Sequence, residues 1–263
     1  MTATPARAVV VLATRLRSVG QIEYAVRAAG ARPVIVWDSE SLLRAMADWP
    51  ELVLVDLAAA DWEAPVRRAK RLPHAKRIPI IAFGSPDDAV VLLAARAAGC
   101  DHVLTYARFV DELPDLLQRA LHPPTRWVEG WDVSPPPALC RGVAQFNQRA
   151  YWECHETLEA LWHAEPRPVR DLYQGVLQVG VAFHHLRNGN YPGAVKMLRR
   201  GLPRLRDLPE ICQGLRVAEL YRAAHAVHDR IVELGPERIG ELAEDSLPHI
   251  TLVGCTESNA RPC

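Results

Sequence analysis

Short apolar runs alternate with helix-length segments through residues 6–121, and this alternation limits the fold more than any other feature. The segments between the runs are amphipathic and rich in alanine, and the runs themselves read AVVVLAT, RPVIVW, ELVLVDL, IPIIAF and HVLTY. Continuous apolar strands joined by helices predict a parallel sheet that is covered on both faces. The sequence therefore predicts a doubly wound α/β domain, with ligand sites at the carboxyl ends of its strands.

The phrases PELVLVDL, IPIIAFGS and AAGCDHVLTYARF resemble the receiver domain of two-component response regulators across nearly all of this region. The resemblance implies a phosphorelay role and puts Asp56, the last residue of LVLVD, at the phospho-accepting position. Receivers hold Mg²⁺ with an acidic pair after the first strand, where this chain has Leu-Ala-Thr at 12–14. The hydroxyl and lysine positions of the family are occupied by Gly84 and Tyr106.

These departures make a degenerate receiver the interpretation of residues 6–121. Without Mg²⁺ and a cation, phosphoryl transfer to Asp56 loses its main electrostatic support. The alternative role for Asp56, which we favour, is a strand-terminal aspartate that caps a turn or the following helix.

Proline and glycine divide the rest of the chain. Residues 122–137, HPPTRWVEGWDVSPPP, have no helical period and are predicted to form an extended linker. Its Trp127 and Trp131 are expected to dock on one of the two domains. Residues 138–246 contain helical segments bounded by proline and glycine, which predict an antiparallel helical bundle. Residues 247–263 lack a period and are predicted to form a flexible tail.

Most of the candidate chemistry lies in the segment FNQRAYWECHETLEALWH, which is predicted to be one helix. On that helix His155, Glu159 and Trp162 share a stripe, while Glu153 and Glu156 form a neighbouring stripe.

The next predicted helix, VRDLYQGVLQVGVAFHHLR, carries Gln174, Gln178 and His185 on an otherwise apolar stripe. A short connection makes the two helices antiparallel, and buried polar groups need partners. We therefore expect His155, Glu159, Gln178 and His185 to converge between the two helices.

The run F-N-x-x-x-Y-W-E-C-H-E-T-L-E-x-L-W, followed by Q-G-V-L-Q and H-x-x-x-G-N-Y-x-G-A, resembles the bacterial and archaeal domain-of-unknown-function family 309 over residues 146–206. The resemblance implies a small helical bundle and a set of motif residues, but no reaction. The motif residues in this chain are Phe146, Asn147, Glu153, His155, Glu156, Glu159, Trp162, Gln174, Gln178, His185, Gly189 and Asn190.

Two interpretations of the polar motif residues stay open at this point. In the first, which we favour, Glu159 holds His155 and Gln178 in a buried hydrogen-bond network that fixes the packing of the bundle. In the second, the protein is a metal-dependent, hydrolase-like enzyme: His155, Glu159 and His185 would hold a divalent transition metal, and His155, Glu156 and Glu159 would be the catalytic candidates. HETLE is not the zinc-protease H-E-x-x-H, because it has a single histidine.

The amino-acid composition limits the kinds of partner that this chain is predicted to bind. Lys plus Arg and Asp plus Glu both number 31, so nucleic acid is not predicted as a partner, and the basic run KMLRRGLPRLR is interpreted as a solvated helix face. No segment is apolar enough for a membrane span, and six cysteines without a C-x-x-C pair suggest reduced thiols in a cytoplasmic protein. The combined prediction is a regulatory or signalling-associated protein that binds a protein partner or a second copy of itself.

Overall fold

The computed structural model describes residues 7–14, 16–72 and 75–253. They form two compact units that divide between Pro124 and Thr125.

Strands and helices alternate regularly in the described part of the first unit, as the sequence predicts. The strands are β1 (Ala8–Leu12), β2 (Arg32–Val36), β3 (Leu52–Asp56), β4 (Ile80–Gly84) and β5 (His102–Thr105). The helices are α1 (Leu16–Ala28), α2 (Ser39–Ala47), α3 (Glu63–Arg71), α4 (Ala89–Ala98) and α5 (Tyr106–Leu121).

All the strand pairs of this sheet are parallel, and the strand order is β2-β1-β3-β4-β5. This is the flavodoxin-like order that receivers share, and it confirms the predicted fold class. In such a sheet the chain order reverses beside β1, so the carboxyl ends of β1 and β3 flank the position where ligands bind.

The sheet is buried on both faces, which explains why its strands are continuously apolar. Alternate residues of one strand point to opposite faces. Val9 and Val11 of β1 pack with α1 and α5, while Val10 and Leu12 pack with α2, α3 and α4.

The second unit is mainly helical in its described part. Its helices are α6 (Pro137–Asn147), α7 (Tyr151–Ala164), α8 (Arg170–Arg187), α9 (Tyr191–Leu205) and α10 (Val217–Leu234). A small antiparallel hairpin, β6 (Ile211–Cys212) and β7 (Leu215–Arg216), precedes α10, and a 3₁₀ helix over Pro236–Glu241 follows it.

Helices α8 and α9 approach each other closely through glycine. A Cβ at Gly201 would lie 3.0 Å from the Gly175 carbonyl oxygen and 3.1 Å from the Gln178 Cβ. The backbones can therefore approach this closely only because residue 201 has no side chain. Helix α9 continues through Gly201 to Leu205.

The predicted single helix over residues 146–163 is wrong, because the chain breaks it after Asn147. Arg149 has a left-handed φ of 63°, its amide donates to the Phe146 carbonyl, and the Ala150 amide donates to the Gln145 carbonyl. These bonds form the left-handed C-cap that usually contains glycine. The Arg149 guanidinium donates to the Tyr151 hydroxyl and the Leu247 carbonyl, which offsets the strain of this conformation.

The start of the last long helix is also predicted wrongly. Asp207 and Pro209 look like a helix start in the sequence, yet the chain forms the β6–β7 hairpin there and α10 begins at Val217. Gln213 and Gly214 have φ angles of 47° and 75°, which turn the hairpin.

Residues 125–137 of the predicted linker are part of the second unit. The Arg126 amide donates to the Asp207 carbonyl, and the rings of Trp127 and Trp131 meet edge to face with centroids 4.6 Å apart.

Among the described residues, no helix combines the length and the apolar character that crossing a membrane requires.

Candidate functional site

Asp56 lies at the carboxyl end of β3, where the sequence predicts it, and it is 8% exposed. The Thr14 hydroxyl donates to its Oδ2 at 2.5 Å, and the Ala58 amide donates to its Oδ1 at 3.0 Å. Both carboxylate oxygens therefore accept a hydrogen bond from this chain. The second bond is the turn-capping role that the sequence suggests.

The groups that normally support phosphoryl transfer are replaced around this carboxylate. Ala13, in the region of the metal acids, is buried, and Thr14 beside it already donates to Asp56. Tyr106, which the resemblance to receivers puts at the lysine position, directly follows β5 and is 41% exposed, with its ring 6.1 Å from that of Phe83. A phenol cannot provide the positive charge of a lysine.

His155 and Glu159 face each other on α7, as their spacing predicts, but they do not form a short pair. The His155 Nε2 and Glu159 Oε2 atoms are 3.9 Å apart, beyond hydrogen-bond distance. The His155 ring lies against the ring of Trp152, with centroids 5.4 Å apart, and Trp152 also lies 5.8 Å from the ring of His184. Among the described residues, the buried Nδ1 of His155 has no hydrogen-bond partner.

Gln178 and His185 of α8 contact α9 and the turn before it. Gln178 accepts a hydrogen bond from Arg204 at 3.3 Å, and the His185 Nδ1 lies 3.1 Å from the Asn190 amide nitrogen. Asn190 also accepts from the Gly193 amide and so caps α9. The structure thus brings His155 near Glu159 but engages Gln178 and His185 with other residues.

These placements give no support to the metal-dependent alternative. Across residues 7–14, 16–72 and 75–253, no group of three His, Cys, Asp and Glu side chains is arranged to hold a metal ion. The His185 Nδ1 is engaged by the Asn190 side chain, and burial, with smaller contributions from His184 and Lys196, lowers the pKa of His185.

The other motif residues of α7 and α8 lie on the surface or at the helix ends. Glu153 and Glu156 are exposed, and Gln174 is half-buried. Trp162 is covered by the guanidinium of Arg170, 5.2 Å from its ring centroid, which is a cation–π contact.

The basic run of α9 is partly neutralised within the bundle. The Asp171 carboxylate accepts from Arg204 at 2.7 Å and from Arg126 at 3.0 Å, and Arg126 lies 3.4 Å from Asp207. This ion-pair network lowers the net positive charge of the α9 surface, in line with the interpretation of a solvated face.

Asn147 is a motif residue whose partner no sequence pattern indicates. Its side chain donates to the Ile250 carbonyl at 2.9 Å and accepts from the Ile250 amide at 2.7 Å. Thr251 and Val253 continue this pairing along the β6–β7 hairpin. We call residues 247–253 the C-terminal strap; they are held in place, although the sequence predicts them to be part of a flexible tail. Residues 254–263 of that predicted tail lie outside the described residues.

A histidine–aspartate cluster lies on α10, where His225 and His228 both contact Asp229. His228 is 5% exposed, and its Nδ1 lies 3.3 Å from the Asp229 carboxylate. The other Asp229 oxygen lies 3.2 Å from the His225 Nδ1. Among the described residues, the His228 Nε2 is buried without a hydrogen-bond partner.

We expect the bundle to lose stability as the pH falls below about 6.5, the ordinary pKa of histidine. Burial lowers the pKa of His228, and the charges of Arg199 and His225 lower it further, while Asp229 raises it. The unfolded chain therefore binds a proton before the folded chain does, so the free energy of unfolding falls as the solution is acidified. Burial raises the pKa of Asp229, but the hydrogen bonds and charges of His225 and His228 together lower it, so the contribution of Asp229 to stability is lost only below its ordinary value of 3.8.

Denaturation of the wild type, of His228→Leu and of His163→Gln between pH 7.5 and about 5 tests this expectation. His163 is exposed, so its variant should keep the wild-type slope of unfolding free energy against pH. The His228→Leu slope should be shallower. Equal slopes for all three proteins would show that His228 does not cause the loss.

The cysteines differ from one another. Cys154 is buried, and burial raises the pKa of its thiol to about 12, so it does not form a nucleophile beside His155. Cys100, Cys154 and Cys212 are free thiols, but Cys140 is disulfide-bonded. The prediction of reduced thiols is therefore wrong for Cys140; Cys255 and Cys263 lie outside the described residues.

The resemblance of the bundle to a known family is confirmed. Residues 139–197 match the family described as "Domain of unknown function (DUF309)". The uncharacterized protein YpuF of Bacillus subtilis (strain 168) is 38% identical over 69 residues, which are 26% of this chain and 40% of that protein. The chain thus matches less than half of the length of this relative.

The first unit is similar to solved receiver domains. One is the receiver domain of a sensor histidine kinase of Pseudomonas aeruginosa, which was solved with magnesium in its active-site cleft. It is 21% identical, with a TM-score of 0.40, and the match spans 44% of this chain and 98% of that domain. The receiver domain of a histidine kinase of Syntrophus aciditrophicus is 18% identical with a TM-score of 0.41 and covers 44% of this chain and 90% of its own.

Proposed function

We propose that this chain is a regulatory protein whose receiver unit binds a partner without being phosphorylated, joined to a helical bundle that serves as a second binding unit. The partner is another protein or a second copy of the chain. The observation that carries this proposal is the state of Asp56, whose two carboxylate oxygens accept from Thr14 and Ala58.

Phosphoryl transfer needs a metal and a cation, because charge develops on the phosphoryl oxygens. Here Ala13 and Thr14 provide no carboxylate, and Tyr106 provides no positive charge. A receiver fold without these groups retains its surfaces, so binding is the function that remains for it. The bundle supports the same conclusion, since no three metal-ligating side chains converge in its described part.

Zero net charge favours protein over nucleic acid as the partner. Binding to a phosphate backbone depends on a surplus of Lys and Arg. The 31 basic residues are matched by 31 acidic ones. The most concentrated basic run lies on α9, and its Arg204 shares the Asp171 carboxylate with Arg126.

We expect the full-length protein to remain unmodified at Asp56 when incubated with Mg²⁺ and acetyl phosphate. An ordinary receiver domain treated in parallel provides the positive control, and intact-mass spectrometry with peptide mapping measures the modification. Phosphorylation of Asp56 at a rate comparable with that control would overturn the proposal.

A variant with restored groups tests the physical reason. Thr14→Asp with Tyr106→Lys returns one carboxylate beside Asp56 and one cation at the end of β5. Two adjacent carboxylates favour Mg²⁺ binding, so we expect saturable Mg²⁺ binding by this variant and none by the wild type. Equal Mg²⁺ binding by the two proteins would show that the residues at positions 14 and 106 do not determine whether Mg²⁺ binds.

A further inference from the structure

Helix α7 carries a tryptophan that the core of the bundle does not use. Trp152 is 54% exposed, although its neighbour Tyr151 in the same motif is buried. Its indole stacks on the His155 ring with centroids 5.4 Å apart, and it lies 5.8 Å from the ring of His184 on α8. The indole is therefore supported by two imidazoles while much of its surface stays in water.

The surface of α7 around Trp152 is acidic. Glu153 is the next residue, and Glu156 and Glu159 follow Trp152 by one and two helical turns, which places them on its stripe of the helix. Glu153 and Glu156 are exposed, and the Glu159 side chain is 44% exposed. Helix α7 contains neither lysine nor arginine that could balance these charges. We call Trp152, Glu153, Glu156 and Glu159 the α7 outer face.

The carboxylates of this face are not neutralised by ion pairs. Among the described residues, Glu153 and Glu156 have no ion pair, and Glu159 approaches only His155, at 3.9 Å. The chain as a whole has no net charge, so the α7 outer face is a local excess of negative charge. Such a face is complementary to a positively charged partner.

The other tryptophan of α7 indicates which cation fits. Trp162 is half-buried, and the Arg170 guanidinium covers its ring at 5.2 Å from the centroid. A guanidinium can stack on an indole and pair with a carboxylate at the same time, because it is planar and has several donors. Trp152 has carboxylates beside it but, within the part of the chain that the structure describes, no guanidinium on its ring.

We propose that the α7 outer face binds an arginine-bearing segment of another protein, with one guanidinium stacked on Trp152 and paired with Glu156. Tryptophan and arginine are enriched among the residues that dominate the binding energy of protein interfaces. An exposed tryptophan beside unpaired carboxylates therefore suits a protein partner. This inference rests on the bundle being a binding unit, as proposed above, but not on the state of Asp56.

A tetra-arginine peptide is the probe, with tetralysine and tetracitrulline as comparisons. Citrulline retains the planar end group of arginine but has no charge. Fluorescence anisotropy of labelled peptide, titrated with the full-length protein, should show saturable binding of tetra-arginine. We expect the affinity to be about threefold lower for tetralysine and at least about tenfold lower for tetracitrulline.

The position of the bound peptide can be measured at Trp152 itself. Isotope-labelled tryptophan gives one indole N–H signal in the NMR spectrum for each of the seven tryptophans. The signal of Trp152 is the one that is lost in Trp152→Leu. We expect this signal to shift and to saturate as tetra-arginine is added.

Four variants separate the contributions of the ring and the charge. Trp152→Leu and Glu156→Gln should each weaken tetra-arginine binding about fivefold. Trp127→Leu, at a tryptophan that is 65% exposed, and Glu210→Gln, at another exposed glutamate of the bundle, should bind the peptide like the wild type. Denaturation curves check that all four variants fold.

The proposal is overturned if tetra-arginine does not saturate the Trp152 signal, or if tetracitrulline binds as tightly. It is also overturned if Glu156→Gln and Glu210→Gln weaken binding equally, because general charge attraction would then explain the binding. A wild-type dimer that Trp152→Leu dissociates in sedimentation measurements would show that the face binds a second copy instead. Phosphorylation of Asp56 would overturn the function proposed above and leave these measurements unchanged.

Discussion

Replacing Phe146 by alanine is expected to lower the free energy of unfolding of the bundle by about 3–5 kcal/mol. Phe146 is fully buried, and its ring meets those of Tyr151 and Phe183 at centroid distances of 5.3 Å and 5.8 Å. Deleting it removes this aromatic packing and leaves a cavity that the surrounding helices cannot fill. The loss would be the largest of any single change considered for this chain.

Denaturation of the full-length protein, followed by hydrogen exchange in α7 and α8, measures this loss apart from the stability of the receiver unit. Trp152→Ala is the matched control: Trp152 belongs to the same motif but is 54% exposed. We expect it to cost less than about 1 kcal/mol. If the two variants lose equal stability, the solvent exposure of a motif residue does not predict how much its side chain contributes to stability.

Asp171→Ala is expected to destabilise the bundle by about 3 kcal/mol. The Asp171 side chain is 14% exposed and accepts from Arg126 and Arg204, so its removal leaves two guanidinium groups without this carboxylate. The value is at the lower end for a broken buried pair, because the two arginines keep 33% and 23% of their side-chain exposure.

Asp171→Asn tests whether charge causes this loss. It preserves the shape and one acceptor oxygen but removes the negative charge. Its free energy of unfolding should therefore lie between those of the wild type and the alanine variant. Glu156→Ala, at an exposed position on α7, should be close to neutral. Denaturation curves of the four proteins, measured at one pH and salt concentration, make the comparison. A neutral result for Asp171→Ala would mean that the ion-pair network adds nothing to stability.

The receiver fold could be predicted from the sequence because its signals are local. A strand such as Val9–Leu12 is apolar on both faces, as a doubly covered parallel sheet requires, and Asp56 is the last residue of its strand. The absence of a carboxylate from residues 12–14 can also be read directly from the sequence. No long-range contact has to be known for any of these conclusions.

The candidate site of the bundle could not be predicted to the same extent, because helical periodicity gives a face but not the neighbour of that face. Gln178 interrupts an otherwise apolar stripe of α8, a helix that packs on both α7 and α9, and its partner is Arg204 of α9. The break between α6 and α7 at Arg149 could not be predicted, because neither glycine nor proline occurs there. The burial of His228 could not be predicted either, because it depends on how α10 packs against segments that are distant in the sequence.

The C-terminal strap has a consequence for where a fragment of this protein can be cut. The segment that matches the known family ends at residue 197, but the side-chain amide of Asn147 finds both of its partners at Ile250. A polypeptide ending at the family boundary would expose the turn between α6 and α7 and lose α10 with it. The smallest autonomous bundle therefore extends at least to Val253, whose amide closes the pairing with Gly214.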